Sequence, residues 1–419
     1  MREMKDSGIE WVGAIPAMWQ IHPLYYYFCE RKCRNTLGKE NNLLSLSYGR
    51  IIRKDINTVD GLLPENYNGY NIIEKGDIVL RLTDLQNDKH SLRTGLVREH
   101  GIITSAYITI KANCELVPEF FQYLLHSYDV MKVLYNMGSG VRQGLNFSEL
   151  SKMPLISPDM LEQKRIADFL NSKCSDIDAI SADIQKEIEI LEQYKRSLVF
   201  EAISKGINGE KTANASSDIW KEIPQSWKLV DIKYLFEIVK RIAGREGYNI
   251  LSVTQKGLKI KDISGNQGQI AENYSGYQFV FPSDYVMNHM DLLTGWIDCS
   301  DQFGVTSPDY RVFRLRDKTQ NDTEYYKYVM QCCYMCRIFY SLGQGVSTLG
   351  RWRLQTSAFM NFKVPVPPLH EQKEIARYLN DKCKEIELSI EQKRKQLELL
   401  SAYKKSLIYE YVTGKKEVI

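Results

Sequence analysis

Two stretches of this 419-residue chain contain neither glycine nor proline, Asp159 to Lys205 and Leu369 to Thr413. Their absence removes the usual helix breakers and leaves each stretch able to run as one long helix. Nowhere does an apolar run approach the ~20 residues that a helical membrane span requires. The opening MREMKDSGIEW has no apolar signal core, so a cytoplasmic, non-membrane location is expected. Nine cysteines, an odd number in a large chain, do not read as a disulfide framework and are expected to be reduced thiols packed as small apolar groups. Charge of one sign is not in excess either: 55 basic against 52 acidic residues leave a net +3. Nucleic-acid binding would therefore need basic residues gathered on one face.

Catalytic signatures are also missing. No Gly-x-Gly-x-x-Gly and no Gly-x-x-x-x-Gly-Lys-Ser/Thr occurs, so neither dinucleotide nor NTP binding is signalled. HEQKE (370 to 374) lacks the second histidine of a zinc-protease helix, and the matching LEQKR (161 to 165) has no histidine. There is no Asn/Asp-Pro-Pro-Tyr/Phe tetrapeptide, as expected where an enzyme methylates an exocyclic base amine. Cys332, Cys333 and Cys336 cluster on one helix, but a single helix presents at most two thiols on one face, so buried small residues are favoured over a metal site. These absences point to a binding protein without chemistry of its own.

What the chain does have is a repeat. EQKRIADFLNSKC begins at 162 and EQKEIARYLNDKC at 371, with nine of thirteen positions identical. Around them IPAMW (15 to 19) answers IPQSW (223 to 227), ENYNGY (65 to 70) answers ENYSGY (272 to 277), and GSGV (138 to 141) answers GQGV (343 to 346). A tandem duplication follows, each half a globular block and then a helical block. The boundaries read as 1–155, 156–207, 208–365 and 366–419.

In the first long helix Leu170, Cys174, Ile177, Ile184, Ile188, Leu191 and Leu198 recur at steps of three, four and seven. The second keeps the rhythm with Ile375, Leu379, Cys383, Ile386, Ile390, Leu397, Leu400 and Leu407. Such spacing lays one apolar seam between charged flanks, which is coiled-coil patterning. Each helix would extend roughly 60 Å, and two in one chain pair most simply with each other, antiparallel. The alternative is that each packs on its own globular block as an amphipathic face.

The globular blocks alternate short apolar bursts such as GDIVLRL, SAYITIK and DYRVFRL with Gly, Asn and Asp, as strands and turns do. Each is expected to end in one helix, 118 to 137 and 323 to 342. The fold class is therefore α+β. After those helices the halves diverge, GSGVRQGLNFSEL against GQGVSTLGRWRLQ. Arg142, Gln143 and Asn146, and Gln344, Ser347, Thr348, Arg351 and Arg353, are types able to hydrogen-bond base edges or phosphates. For any one of them an incidental surface position is the alternative.

Taken in order, KDSGIEWVGAIPAMW, IPQSW, PLISPDMLEQKRIADFLNSKC and VPVPPLHEQKEIARYLNDKC resemble the specificity subunits of type I restriction-modification systems over essentially the whole chain. The resemblance implies two target recognition domains, each reading half of a split double-stranded DNA site, and two long helices forming an antiparallel coiled coil with a pseudo-twofold repeat. That coiled coil would space the half-sites and dock two methyltransferase subunits, with restriction-translocase subunits joining for cleavage. It also implies no cofactor in this chain, with S-adenosylmethionine, ATP and Mg carried by the partners. Base contacts cannot be transferred residue by residue, because recognition domains of this family diverge.

Overall fold

The structure is a computed structural model describing residues 2–57, 66–85, 92–137, 144–215, 217–261, 273–345 and 352–418. Its contacts gather into two compact units, Met1–Ile184 with Lys395–Ile419, and Gln185–Arg394. Each long helix, Met160–Lys205 and Leu369–Val412, is shared, since its two halves are buried in different cores.

In the first unit a four-stranded antiparallel sheet runs in the order Phe28–Glu30, Ile108–Ala112, Ile78–Leu80, Thr94–Leu96. The central triplet Ile78, Val79, Leu80 is fully buried. Side chains alternate between faces along a strand, and the two faces serve different cores. Ile78 and Leu80 pack with Phe120, Phe121 and Leu124 of the helix Pro118–Val130, while Val79 packs with Leu44, Leu46 and Ile103 behind the sheet. Each such side chain contributes about 1.5–3 kcal/mol by leaving water.

The second unit repeats this plan. Its sheet runs Phe236–Val239, Arg311–Leu315, Tyr285–Met287, Ile297–Cys299. Tyr285 and Met287 face the core built on the helix Thr323–Met335, and Val286 faces the opposite one with Leu251, Val253 and Val312.

The single domain helix expected in each block is instead broken. Pro118–Val130 ends before Lys132, whose φ is +63°, and a separate turn follows over Val133–Asn136. Thr323–Met335 ends before Arg337 at φ +54°, and Ile338–Ser341 follows. Neither break is signalled by Gly or Pro. In each, a residue in the left-handed region redirects the chain so that Leu134, or Ile338 and Phe339, turn back into the core.

The repeated Glu-Gln pair is explained by what it holds. Trp19 Nε1 donates to Glu162 at 3.0 Å, and Trp227 Nε1 donates to Glu371 at 2.7 Å. The next residue ties the long helix to the domain helix: Gln163 Oε1 accepts from the Val117 N–H at 3.0 Å, and Gln372 Oε1 from the Asp322 N–H at 2.8 Å. Further along, Tyr123 donates to Asn171 at 3.0 Å and Tyr328 to Asn380 at 2.8 Å. The most similar stretch of the two halves is thus the clamp fastening each long helix to its sheet-and-helix block.

The long helices meet inside each unit. In the first, Leu407, Ile408 and Val412 pack with Ile166, Leu170, Cys174 and Ile177, and Lys404 pairs with Asp178 at 2.6 Å. In the second, Val199, Ala202 and Ile203 share a core with Ile375, Ala376, Leu379 and Cys383. There Lys195 pairs with Glu387, Lys393 with Glu187 and Arg394 with Glu192, so the segments run in opposite directions. Of the expected seam, Leu170, Ile177, Ile188, Leu379, Ile386, Ile390 and Leu407 are buried, whereas Ile184, Leu191, Leu198, Leu397 and Leu400 are half-buried. Leu170 and Leu379 lie in the domain cores, so over this part of their length the helices pack on their globular blocks as amphipathic faces. Among the described residues no helix is long and apolar enough to cross a membrane.

Candidate functional site

Each unit presents its divergent loop just beyond the broken domain helix. Arg142, Gln143, Ser347, Thr348 and Arg351 lie outside the described residues; Asn146, Gln344 and Arg353 lie within them.

Gln344 and Arg353 form the neck of the second loop. Their backbones exchange two hydrogen bonds, each 3.0 Å, and both side chains are exposed. The glycines beside Gln344 allow a close approach, but the group approached is internal. A Cβ at Gly345 would stand 2.8 Å from the Trp352 ring, and one at Gly343 would stand 2.7 Å from Leu292 Cδ1. Trp352 also packs on Tyr340, with ring centroids 4.7 Å apart. The neck is therefore packed against Trp352 and Leu292 and closed by a backbone hydrogen-bond pair.

Beneath this neck the structure gathers residues that the sequence did not single out. Arg311 is buried, donates to the Leu354 carbonyl at 3.0 Å and to Thr356 Oγ1 at 3.2 Å, and lies over the Phe359 ring. Desolvation lowers its pKa to about 10. His289 accepts the Leu354 N–H at its backbone carbonyl, while its Nδ1 is buried without a hydrogen-bond partner. Burial, with Arg311 and Arg353 nearby, pushes the His289 imidazole down to about 4. The histidine is thus neutral near pH 7 and leaves the cationic character of the neck to the arginines.

In the first unit Asn146 caps a short helix, Phe147–Leu150. Its side chain accepts from the Glu149 N–H at 3.0 Å, and Glu149 accepts in return from the Asn146 N–H. That capping box occupies the side-chain oxygen assigned to DNA from residue type. Nearby, buried Arg93 donates to the carbonyls of Arg81, Thr83 and Asp84 and to the Tyr135 hydroxyl, pinning the segment after the central strand.

The two units also differ where their topologies coincide. The strand pairs Asn71–Ile73 with Gly101–Ile103 and Gln278–Val280 with Gly304–Thr306 are equivalent in register. At the first pair's tip His100 bridges Glu74 at 2.9 Å and Glu40 at 2.8 Å. At the second, Phe281 and Phe303 occupy the corresponding places, 5.1 Å apart and both exposed. One frame therefore carries two different surfaces.

Comparison with known proteins accords with this duplicated arrangement. The sequence profile of the type I restriction modification DNA specificity domain matches twice, over residues 28–190 and 224–399. The chain is 26% identical to the type I restriction enzyme MjaVIII specificity subunit of Methanocaldococcus jannaschii, over 76% of this chain and 75% of that protein. It is 24% identical to the putative type I restriction enzyme MjaX specificity subunit of the same organism, over 97% and 96%. A solved chain from work on complex assembly and conformational transition of the type I R-M system shares the fold, with a TM-score of 0.66 at 15% identity, covering 96% of this chain and 99% of that one. The chain belongs to the specificity subunits of type I restriction-modification systems, non-catalytic DNA-recognition proteins, and carries two of their DNA specificity domains.

Proposed function

We propose that this chain reads a bipartite double-stranded DNA target, one half-site per domain, and holds the two readings at a fixed spacing. The observation that carries the reading is one frame present twice, with the same sheet order and the same Trp-Glu and Gln clamps, but with unlike loops and strand tips. A repeated frame with different contact surfaces suits two different half-sites along one duplex. Arg142, Gln143, Ser347, Thr348, Arg351, Gln344 and Arg353 remain the proposed DNA contacts by position and type; Asn146 is retained only through its amide nitrogen, since its oxygen caps a helix.

The long helices act, in this reading, as an antiparallel coiled-coil spacer that also docks two methyltransferase subunits and the restriction subunits. The partners supply S-adenosylmethionine, ATP and Mg, flip the target adenine out of the stack and carry out the chemistry. Coexpression with the partner methyltransferase, followed by sequencing of host DNA for modified adenines, tests the proposal. A single motif of two short half-sites around a constant gap is expected. Modification at one undivided motif would overturn the two-reader assignment.

A further inference from the structure

Of the three cysteines at the second domain helix, two form a distinct constellation. Cys332 and Cys336 stand one helical turn apart with their sulfurs at 3.9 Å. Cys332 is fully buried, whereas Cys336 ends the helix half-exposed and opens into a cleft of about 360 Å³ walled by Arg196, Phe200 and Lys205. Cys333, on the neighbouring face of the helix, is buried in the core.

We propose that Cys336 and Cys332 are a peroxide-reactive thiol pair, with Cys336 attacking from the cleft and Cys332 resolving from behind it. Cys336 sulfur attacks one oxygen of hydrogen peroxide: an S–O bond forms, the O–O bond breaks, and the departing hydroxide takes up a proton to leave as water. Cys332 sulfur then attacks the Cys336 sulfenic acid: the S–S bond forms, the S–O bond breaks, and a second water leaves with the Cys332 proton. Two thiols are oxidised and one peroxide is reduced, so atoms and electrons balance.

Three features support the assignment of roles. The hydrogen bond from Cys332, assisted by the Arg196 guanidinium, holds the Cys336 thiol below its ordinary pKa, while Cys332, through that same hydrogen bond and then its burial, is held well above its own. Thiolate character with access is what selects an attacking cysteine. Finally, the Cys336 N–H donates to the Cys332 carbonyl at 2.9 Å, which sets the two Cα atoms roughly 6 Å apart, within a disulfide's Cα span, and because Cys336 is the helix C-cap the terminal turn can tighten to bring the Cβ atoms from about 5–6 Å to the ~4 Å the bond needs.

The exposed thiols Cys33 and Cys114 provide internal controls. The full-length chain would be treated with one equivalent of hydrogen peroxide, alkylated, and mapped by peptide mass spectrometry. The expected result is loss of two thiols, at Cys332 and Cys336, in the peptide spanning 328–337, with Cys33 and Cys114 still alkylated. Cys332→Ser should stop the reaction at a dimedone-reactive Cys336, Cys336→Ser should abolish it, and Cys333→Ser should leave the disulfide intact. Consumption of Cys33 or Cys114 ahead of Cys336 in the unmutated chain, or over-oxidation of Cys336 without pairing, would overturn the proposal.

Discussion

Replacing Trp227 by Phe should destabilise the chain more than the matching change at Trp19, and the difference can be worked from the two clamps. Trp227 donates its indole N–H to Glu371 at 2.7 Å, and Glu371 is 8% exposed. Losing a hydrogen bond to a charged acceptor costs ~1.5–3 kcal/mol when the acceptor stays buried. The smaller ring adds a cavity cost on the order of 1 kcal/mol, for a total of about 3 kcal/mol. Trp19 donates to Glu162 at 3.0 Å, but Glu162 also receives the Arg2 guanidinium, so Trp19→Phe leaves the carboxylate paired and should cost only ~1–2 kcal/mol. In units of this size each kcal/mol lowers the melting temperature by roughly 2–4 °C. Calorimetry of the full-length variants should therefore show the larger downward shift for Trp227→Phe. Adding Glu371→Leu should recover part of it, because no carboxylate then remains unsatisfied. Equal losses at Trp19 and Trp227 would refute the reasoning, since the second partner of Glu162 and the deeper burial of Glu371 are what separate the two clamps.

Other outcomes follow from the same contacts. Gly414 has φ +70° and a Cβ there would collide with the Pro16 ring, whereas at Gly206, φ +74°, it would meet the Trp227 ring at 3.2 Å; urea titration should show losses above about 1 kcal/mol for both alanine variants, with Gly414→Ala the worse. His126, facing Lys404 and Lys405, and His289, facing Arg311 and Arg353, are each depressed from 6.5 to about 4, chiefly by burial. The unfolded chain then binds more protons than the folded one between those pH values, so stability falls as pH drops through the window, by up to about 3 kcal/mol per histidine before solvent screening. His126→Gln with His289→Gln should flatten that dependence in melts recorded from pH 7 to 4. An aspartate at buried Ile188 should impair assembly more than one at half-buried Leu191, read by size-exclusion chromatography with the partner subunits. Arg353→Ala should weaken specific DNA binding by ~1–3 kcal/mol if the side chain reads a guanine; unchanged affinity at moderate salt would remove it from the interface.

Much of the architecture was legible because it rests on local pattern. The helix ends follow from Gly206 and Gly414, and the strands Ile78–Leu80 and Arg311–Leu315 fall within apolar bursts. The roles of Glu162, Gln163, Glu371 and Gln372 were not legible, although their repetition was the strongest signal. Their partners lie far away in sequence: Trp19 to Glu162 spans 143 residues, and periodicity carries no information across such a distance. The helix breaks at Lys132 and Arg337 were hidden for another reason, since tertiary burial imposes a left-handed conformation on ordinary residues. At the loop, residue type suggested outward contacts for the glycine-rich neck, whereas Gly343 and Gly345 make room for Leu292 and Trp352. His289 and Arg311 converge there only through the sheet.

The division of the long helices also sets an order in time. One unit is a single uninterrupted segment, Gln185–Arg394, while the other needs Lys395–Ile419 to cover Ile166, Leu170 and Ile177. During synthesis from the N-terminus, the segment made second can complete its core first. The segment made first waits, with one apolar face uncovered, until the last turns of the final helix leave the ribosome.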